Sequence, residues 1–100
     1  MMITQEMIGE YVKPIALKYS VKKIILFGSY ARGEATEKSD IDLLVDCEGK
    51  LIGLDFFGVA GEICRALPIK ADVFELREIK NPSVLYDNII KEGVVIYDKQ

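Results

Sequence analysis

Residues 23–47 read KIILFGSYARGEATEKSDIDLLVDC, and the two apolar runs that bracket this stretch decide the fold. Ile24, Ile25, Leu26 and Phe27 are too few for a helix and suit a strand buried on both faces. The run stops at Gly28-Ser29. Residues 29–39 are then polar, with Gly33 and residues 34–38 predicting a short helical turn followed by an exposed loop. A second strand is expected over residues 40–47, its apolar content supplied by Ile41, Leu43, Leu44 and Val45. The strand period of two sets Asp40, Asp42, Leu44 and Asp46 on one face.

On the N-terminal side, Ile8, Tyr11, Val12, Ile15 and Tyr19 recur at helical steps, predicting an amphipathic helix over residues 4–19. Pro14 inside it predicts a kink or a split into two short helices. On the C-terminal side, residues 48–50 form a turn. A helix is expected from Asp55 as N-cap, with Phe56, Ala60, Ile63 and Leu67 on one stripe and Pro68 as its stop. Residues 70–76 read as a third strand, and Asn81-Pro82 starts a last helix that runs to about Lys91. Gly93 closes that helix, and residues 94–97 are expected as a short final strand or an extended tail. With no repeat or linker, this order predicts one α/β (α+β) domain over residues 1–100 built on a small sheet.

Composition removes whole classes of chemistry. In 100 residues there is no His, which excludes a Ser-His-Asp triad, a Cys-His dyad and a His-bearing zinc site. Cys47 and Cys64 stand in no CxxC spacing, so a zinc cluster and a thioredoxin-type motif are excluded and both are expected as small buried hydrophobes. No apolar stretch reaches the roughly 20 residues of a membrane span, and no signal-peptide pattern opens the chain, so a cytoplasmic location is expected. Basic and acidic residues number 7 and 8 in the first half and 6 and 8 in the second, which leaves no basic face and disfavours nucleic acid as a direct ligand.

The remaining chemistry lies around Gly28 and the aspartates. A buried strand running into Gly28-Ser29 and a helical turn presents backbone N–H groups and a hydroxyl to an anion such as phosphate. Asp40 and Asp42, two apart at a strand entry, bring like charges together and suit a hard cation such as Mg²⁺. Asp72, inside the apolar run Ala71-Asp72-Val73-Phe74, needs a partner. If its strand neighbours that of Asp42, three carboxylates converge on a two-metal arrangement. Each element has a plainer reading. Gly28-Ser29 also suits an ordinary strand-to-helix turn, and Asp40 and Asp42 a solvated strand entry. Asp72 can pair with Lys70 or Arg77, and Arg32 can hold phosphate or brace Glu34 or an aspartate. Tyr30 suits packing, Asp46 capping, and Glu34, Glu37 and Lys38 a solvated loop.

The combination in one register is more specific than its parts. Gly28-Ser29, ten residues, then Asp40-Ile41-Asp42 opening an apolar strand resembles the signature of the nucleotidyltransferase superfamily that includes DNA polymerase beta and kanamycin nucleotidyltransferase. The short chain and the text Ala31-Arg32-Gly33-Glu34 resemble the minimal nucleotidyltransferases, antitoxin partners of HEPN-domain toxins, and the likeness extends over residues 19–98. The resemblance implies a nucleotidyltransferase-like fold in which helices pack against a small mixed sheet. It also implies ATP bound as a Mg²⁺ complex, with Gly28 and Ser29 on the triphosphate and Arg32 and Ser39 as further nucleotide contacts. It implies Asp40 and Asp42 as catalytic metal ligands. It places Asp72 at the third carboxylate, as metal ligand or as base for the attacking hydroxyl, with Glu75 further along the strand leaving that position open. The implied activity is transfer of AMP to a tyrosine of a HEPN ribonuclease toxin, which silences it. The alternative is a non-catalytic module that neutralises its partner by complex formation, docking through Leu51, Ile52, Phe56 and Phe57. An antibiotic-modifying enzyme is a third reading, but such enzymes carry extra substrate-binding sequence absent from this stretch.

Overall fold

The computed structural model describes residues 2–48, 53–76, 87, 89 and 91–99. Its elements are α1 (Gln5–Lys18), β1 (Lys23–Phe27), α2 (Ser29–Arg32), β2 (Ile41–Asp46), α3 (Leu54–Ala66), β3 (Ala71–Glu75) and β4 (Val94–Asp98). Asp87, Ile89, Lys91 and Glu92 are helical, in keeping with the expected last helix, whose expected start at Asn81-Pro82 lies outside the described residues.

The four strands form one mixed sheet in the order β3-β2-β1-β4. β1 runs antiparallel to both β2 and β4, whereas β2 and β3 are parallel because α3 carries the chain back to the end where β2 began. Ile24 and Leu26 of β1 and Ile41, Leu43 and Val45 of β2 are fully buried and share one face. Against them pack Ile8, Val12, Ile15 and Ala16 of α1 and Phe56, Val59 and Ile63 of α3. Each such Ile, Leu, Val or Phe side chain contributes roughly 1.5–3 kcal/mol on burial. The opposite face carries Phe27, Asp42, Leu44, Asp72 and Phe74. There Leu44 is buried, and the helical segment ends against β1: a β carbon on Gly93 would stand 2.4 Å from the Ile89 carbonyl oxygen and 2.6 Å from Ile25 Cγ2.

Several expectations need correction. Pro14 does not divide the first helix, which is a single element capped by the Thr4 hydroxyl, accepting from the Met7 N–H at 3.0 Å. Pro14 and Glu10, whose carbonyl loses its helical partner, are both exposed, so water can serve that oxygen. Tyr11 of the predicted stripe is exposed, and Ala16 takes a place in the core. The helical turn expected after Gly28-Ser29 is α2, which runs over Ser29–Arg32 and ends before residues 34–38. Gly53, at φ +58°, is the N-cap of α3, which moves Asp55 into the first turn. Only one face of β1 is fully buried. Cys47 is buried as expected, but Cys64 is exposed, its thiol directed to the Ala71 carbonyl at 3.4 Å. Of the proposed docking residues, Phe56 belongs to the core and Phe57 is exposed, while Leu51 and Ile52 lie outside the described residues.

Candidate active site

β1 delivers the chain into Gly28 at φ +76° and ψ −155°, a conformation open essentially to glycine alone. Glycine is required here for a second reason. A β carbon at this position would lie 2.3 Å from Asp42 Oδ2, so the missing side chain is what lets the Asp42 carboxylate rest against the turn. The turn is then closed from within. The Ala31 and Arg32 N–H groups donate to the Gly28 carbonyl at 3.1 and 3.2 Å, and the Glu34 N–H donates to the Ser29 carbonyl at 2.9 Å. Gly33 ends α2 in the left-handed region at φ +73°. Tyr30 packs into the core with its hydroxyl unpartnered, which matches the packing role read from sequence.

The antiparallel register sets Phe27 opposite Asp42, and the parallel register sets Asp42 opposite Asp72. The strand of Asp72 therefore does neighbour that of Asp42, with both carboxylates on the same face. Asp42 is half-buried, and its carboxyl is held above the ordinary range, first by burial, then by the charges of Asp72 and Asp40, against a smaller opposite pull from Arg32. The charges of Asp40 and Asp72 thus both act on Asp42. Among the described residues the three carboxylates are not gathered into a ready three-ligand metal cluster, as mutual repulsion favours. Their hard oxygen donors and shared negative charge fit a cation such as Mg²⁺, which takes one or two carboxylates and completes its shell with water and phosphate oxygens.

Asp40 sits just before β2, with Lys70 Nζ 3.6 Å from its Oδ2, so Lys70, one of the two partners open to Asp72, reaches Asp40. Both groups are exposed, so the pair is a weak tether. A firmer one lies beside it, where the Ile41 N–H donates to the Lys70 carbonyl at 2.9 Å and joins the starts of β2 and β3. Arg77, the other suggested partner of Asp72, lies outside the described residues. Arg32 takes the bracing role: its Nε is 2.7 Å from Glu34 Oε1 and its Nη1 3.6 Å from Glu92 Oε2. Ser39 Oγ accepts from the Thr36 N–H at 2.8 Å, closing the loop that leads into β2. Asp46 caps the far end, accepting from the Glu48 N–H at 2.9 Å.

Glu75 is excluded as the third carboxylate by strand parity. Three residues beyond Asp72, it faces the helices, is buried at 8% exposure and leaves Oε1 without a partner. Its neighbour there is Cys47, whose thiol is pushed up to about 11, by burial first and by Glu75 second. Sequence reasoning also missed two residues that hold the site together. The Gln5 side-chain amide donates to the Tyr30 and Ala31 carbonyls at 3.0 and 3.3 Å, latching α1 to the end of α2. Glu92 reaches Arg32 from beyond β3. Neither contact leaves a local pattern in the sequence, since both join distant segments. The groove of about 440 Å³ between α1 and β4, lined by Gly9, Lys13 and Val95 among others, has none of Asp40, Asp42 and Asp72 in its lining.

Comparison with known proteins agrees with this geometry. The family model for polymerase beta nucleotidyltransferases matches residues 10–100. MJ0128 of Methanocaldococcus jannaschii, provisionally named a protein adenylyltransferase, is 41% identical over 80 residues, covering 80% of this chain and 82% of its own. The protein adenylyltransferase MntA of Thermococcus cleftensis is 29% identical over 92 residues, covering 92% of this chain and 91% of its own. In the solved complex of a tri-AMPylated Shewanella oneidensis HEPN toxin with MNT antitoxin, a 21% identical chain shares the fold. Its TM-score is 0.69 over 96% of this chain and 74% of that one. Because the family match runs without a break through β1, α2, β2 and β3, which carry the Gly28 turn and the aspartates, this chain belongs to the polymerase beta type of nucleotidyltransferases.

Proposed function

We propose that this protein is a protein adenylyltransferase that moves AMP from ATP to a tyrosine hydroxyl of a HEPN-domain toxin and so neutralises it, as an antitoxin of the cytoplasm. The observation that carries this reading is the alignment of Asp42 with Asp72 across β2 and β3, with Asp42 Oδ2 resting against the Gly28 turn. This supports the reading because nucleotidyl transfer needs a phosphate-holding turn beside two carboxylates. The names of the relatives in Methanocaldococcus and Thermococcus, and the AMPylated toxin of the Shewanella complex, support the choice of acceptor.

In this reading Gly28 and Ser29 hold the outer phosphates of ATP, with Arg32 and Ser39 at the margin of the same turn. Asp40, Asp42 and Asp72 would hold Mg²⁺, which supplies charge neutralisation at the reacting phosphate. The acceptor oxygen attacks the α-phosphorus, a phosphorus–oxygen bond forms, and the bond to the bridging oxygen of the β-phosphate breaks. Pyrophosphate leaves with that electron pair. The hydroxyl proton passes to an Asp72 carboxylate oxygen or through it to water. Arg32, held between Glu34 and Glu92, faces Asp42 closely enough to offset part of the negative field.

The test is incubation of the protein and its HEPN partner with ATP labelled in the α-phosphate. Transfer of label to a toxin tyrosine, lost in Asp40→Asn/Asp42→Asn, is the expected result; a folded pair that transfers none overturns the proposal. Exposed Leu54 and Phe57 on α3 favour a second reading, in which the partner is neutralised by docking alone. That reading predicts full neutralisation by the double Asn variant.

A further inference from the structure

The face that carries Asp42 and Asp72 also carries two aromatic rings outside the main core. Phe27 stands opposite Asp42 in the β1–β2 register, and Phe74 lies two residues beyond Asp72 on β3. Their ring centroids are 5.9 Å apart at an interplanar angle of 47°. Phe27 is half-buried, and Phe74, on a strand at the edge of the sheet, is 38% exposed. A single exposed phenylalanine is ordinary on a protein surface. Its place beside the carboxylates is what singles this one out.

In-line displacement puts the incoming hydroxyl and the leaving pyrophosphate on opposite sides of the reacting phosphorus. The Gly28 turn follows β1, and β1 and β3 flank β2 on opposite sides, so phosphates at Gly28 leave the β3 side for the acceptor. Two residues along a strand span roughly 6–7 Å, about the length of a phenol from its oxygen past its ring. A phenolic hydroxyl at Asp72 can therefore reach along β3 with its ring beside Phe74. The hydroxyl of serine or threonine at the same carboxylate leaves Phe74 uncovered.

We infer that Phe74, backed by Phe27, is the acceptor-ring subsite, which seats the aromatic ring of a tyrosine and selects it over serine and threonine. This deepens the adenylyl-transfer reading and rests on it. The test titrates the full-length protein, loaded with a non-hydrolysable ATP analogue and Mg²⁺, with N-acetyl-tyrosinamide and with N-acetyl-serinamide. NMR follows the phenylalanine rings, and calorimetry follows affinity for the analogue. The tyrosine probe is expected to shift the Phe74 and Phe27 resonances and the serine probe to leave them in place. Phe74→Leu is expected to weaken the tyrosine probe roughly 2- to 10-fold, the worth of one offset ring pair, with affinity for the analogue unchanged. Equal responses to the two probes, or no response at Phe74, overturns the inference. Parallel loss of analogue affinity also overturns it and assigns the rings to the nucleotide base. The comparison of the two probes on the unsubstituted protein needs no variant to fold. Because the readout is binding, failure of label transfer to the toxin counts against the proposed function separately from this subsite.

Discussion

Replacing Gly28 with alanine perturbs the site through two causes that can be measured apart. The backbone at φ +76° and ψ −155° excludes a β carbon on conformational grounds, at a cost of roughly 1–3 kcal/mol. The added methyl also meets Asp42, at 2.3 Å from Oδ2, 3.3 Å from Cγ and 3.5 Å from Cβ. Carbon and oxygen do not pack that closely, so the Asp42 carboxylate must swing away from the turn. In a domain of this size each kcal/mol lowers Tm by roughly 4–8 °C, so Gly28→Ala is expected to cost roughly 4–24 °C from the backbone cause alone. Gly33→Ala is the control. It has a similar φ of +73°, in the left-handed region, but a β carbon there meets nothing within 4 Å, so it carries only the conformational cost of roughly 1–2 kcal/mol. Calorimetry and urea denaturation of Gly28→Ala in the native and Asp42→Ala backgrounds complete the cycle. Removing the Asp42 carboxylate deletes the 2.3 Å contact, so the second Gly28→Ala step should be milder by roughly 0.5–3 kcal/mol. Equal losses for Gly28→Ala and Gly33→Ala, together with no coupling to Asp42→Ala, would refute the claim that Gly28 exists to admit that carboxylate.

Gln5→Leu removes the donor shared by the Tyr30 and Ala31 carbonyls and is expected to cost roughly 1–2 kcal/mol in urea denaturation and to weaken nucleotide binding; an unchanged midpoint contradicts the latch. Iodoacetamide should label Cys64 in the folded protein and Cys47 only on unfolding, as mass spectrometry can read; early labelling of Cys47 contradicts its burial. Since folding raises the Cys47 thiol from 9.0 to about 11, its contribution to stability is full below 9.0 and is lost as pH rises through about 11; Cys47→Ala should flatten this alkaline decline. Folding lowers the Glu62 carboxyl below 4.5, through its bond from the Tyr19 hydroxyl first and Lys18 second. Its contribution is present above 4.5 and disappears as pH falls through the lowered value, so Glu62→Gln should make the acid limb of the stability curve shallower, least visibly at high salt.

The strands flanking Gly28 were legible because their apolar runs are short and end at a glycine, and the alternation of Asp40 and Asp42 with apolar residues placed both on one face. That Asp72 joins Asp42 was legible only through the family resemblance, not from the residue pattern itself. Alternation assigns a residue to a face but does not say which strand lies next to it; the crossover through α3 decides that. The same parity, once β3 is placed, turns Glu75 away from the site and toward Cys47. Proline at 14 does not split the helix because the side that loses the bond faces water. Gly53 displaced Asp55 as cap because a positive-φ turn caps α3 two residues before the expected acidic cap. Arg32 illustrates the limit most clearly: its partner Glu34 is local, but Glu92 and the nearby Asp42 arrive through tertiary structure.

The most direct measurement is intact-mass analysis of the HEPN partner after incubation with ATP, Mg²⁺ and either the native protein or Asp40→Asn/Asp42→Asn, with toxin ribonuclease activity read on the same samples. Toxin mass increased by one or more adenylyl groups on tyrosine, with loss of ribonuclease activity, and neither change with the Asn variant, is the predicted result. An unmodified toxin that is nonetheless fully silenced by both proteins would contradict an account in which these carboxylates do the work.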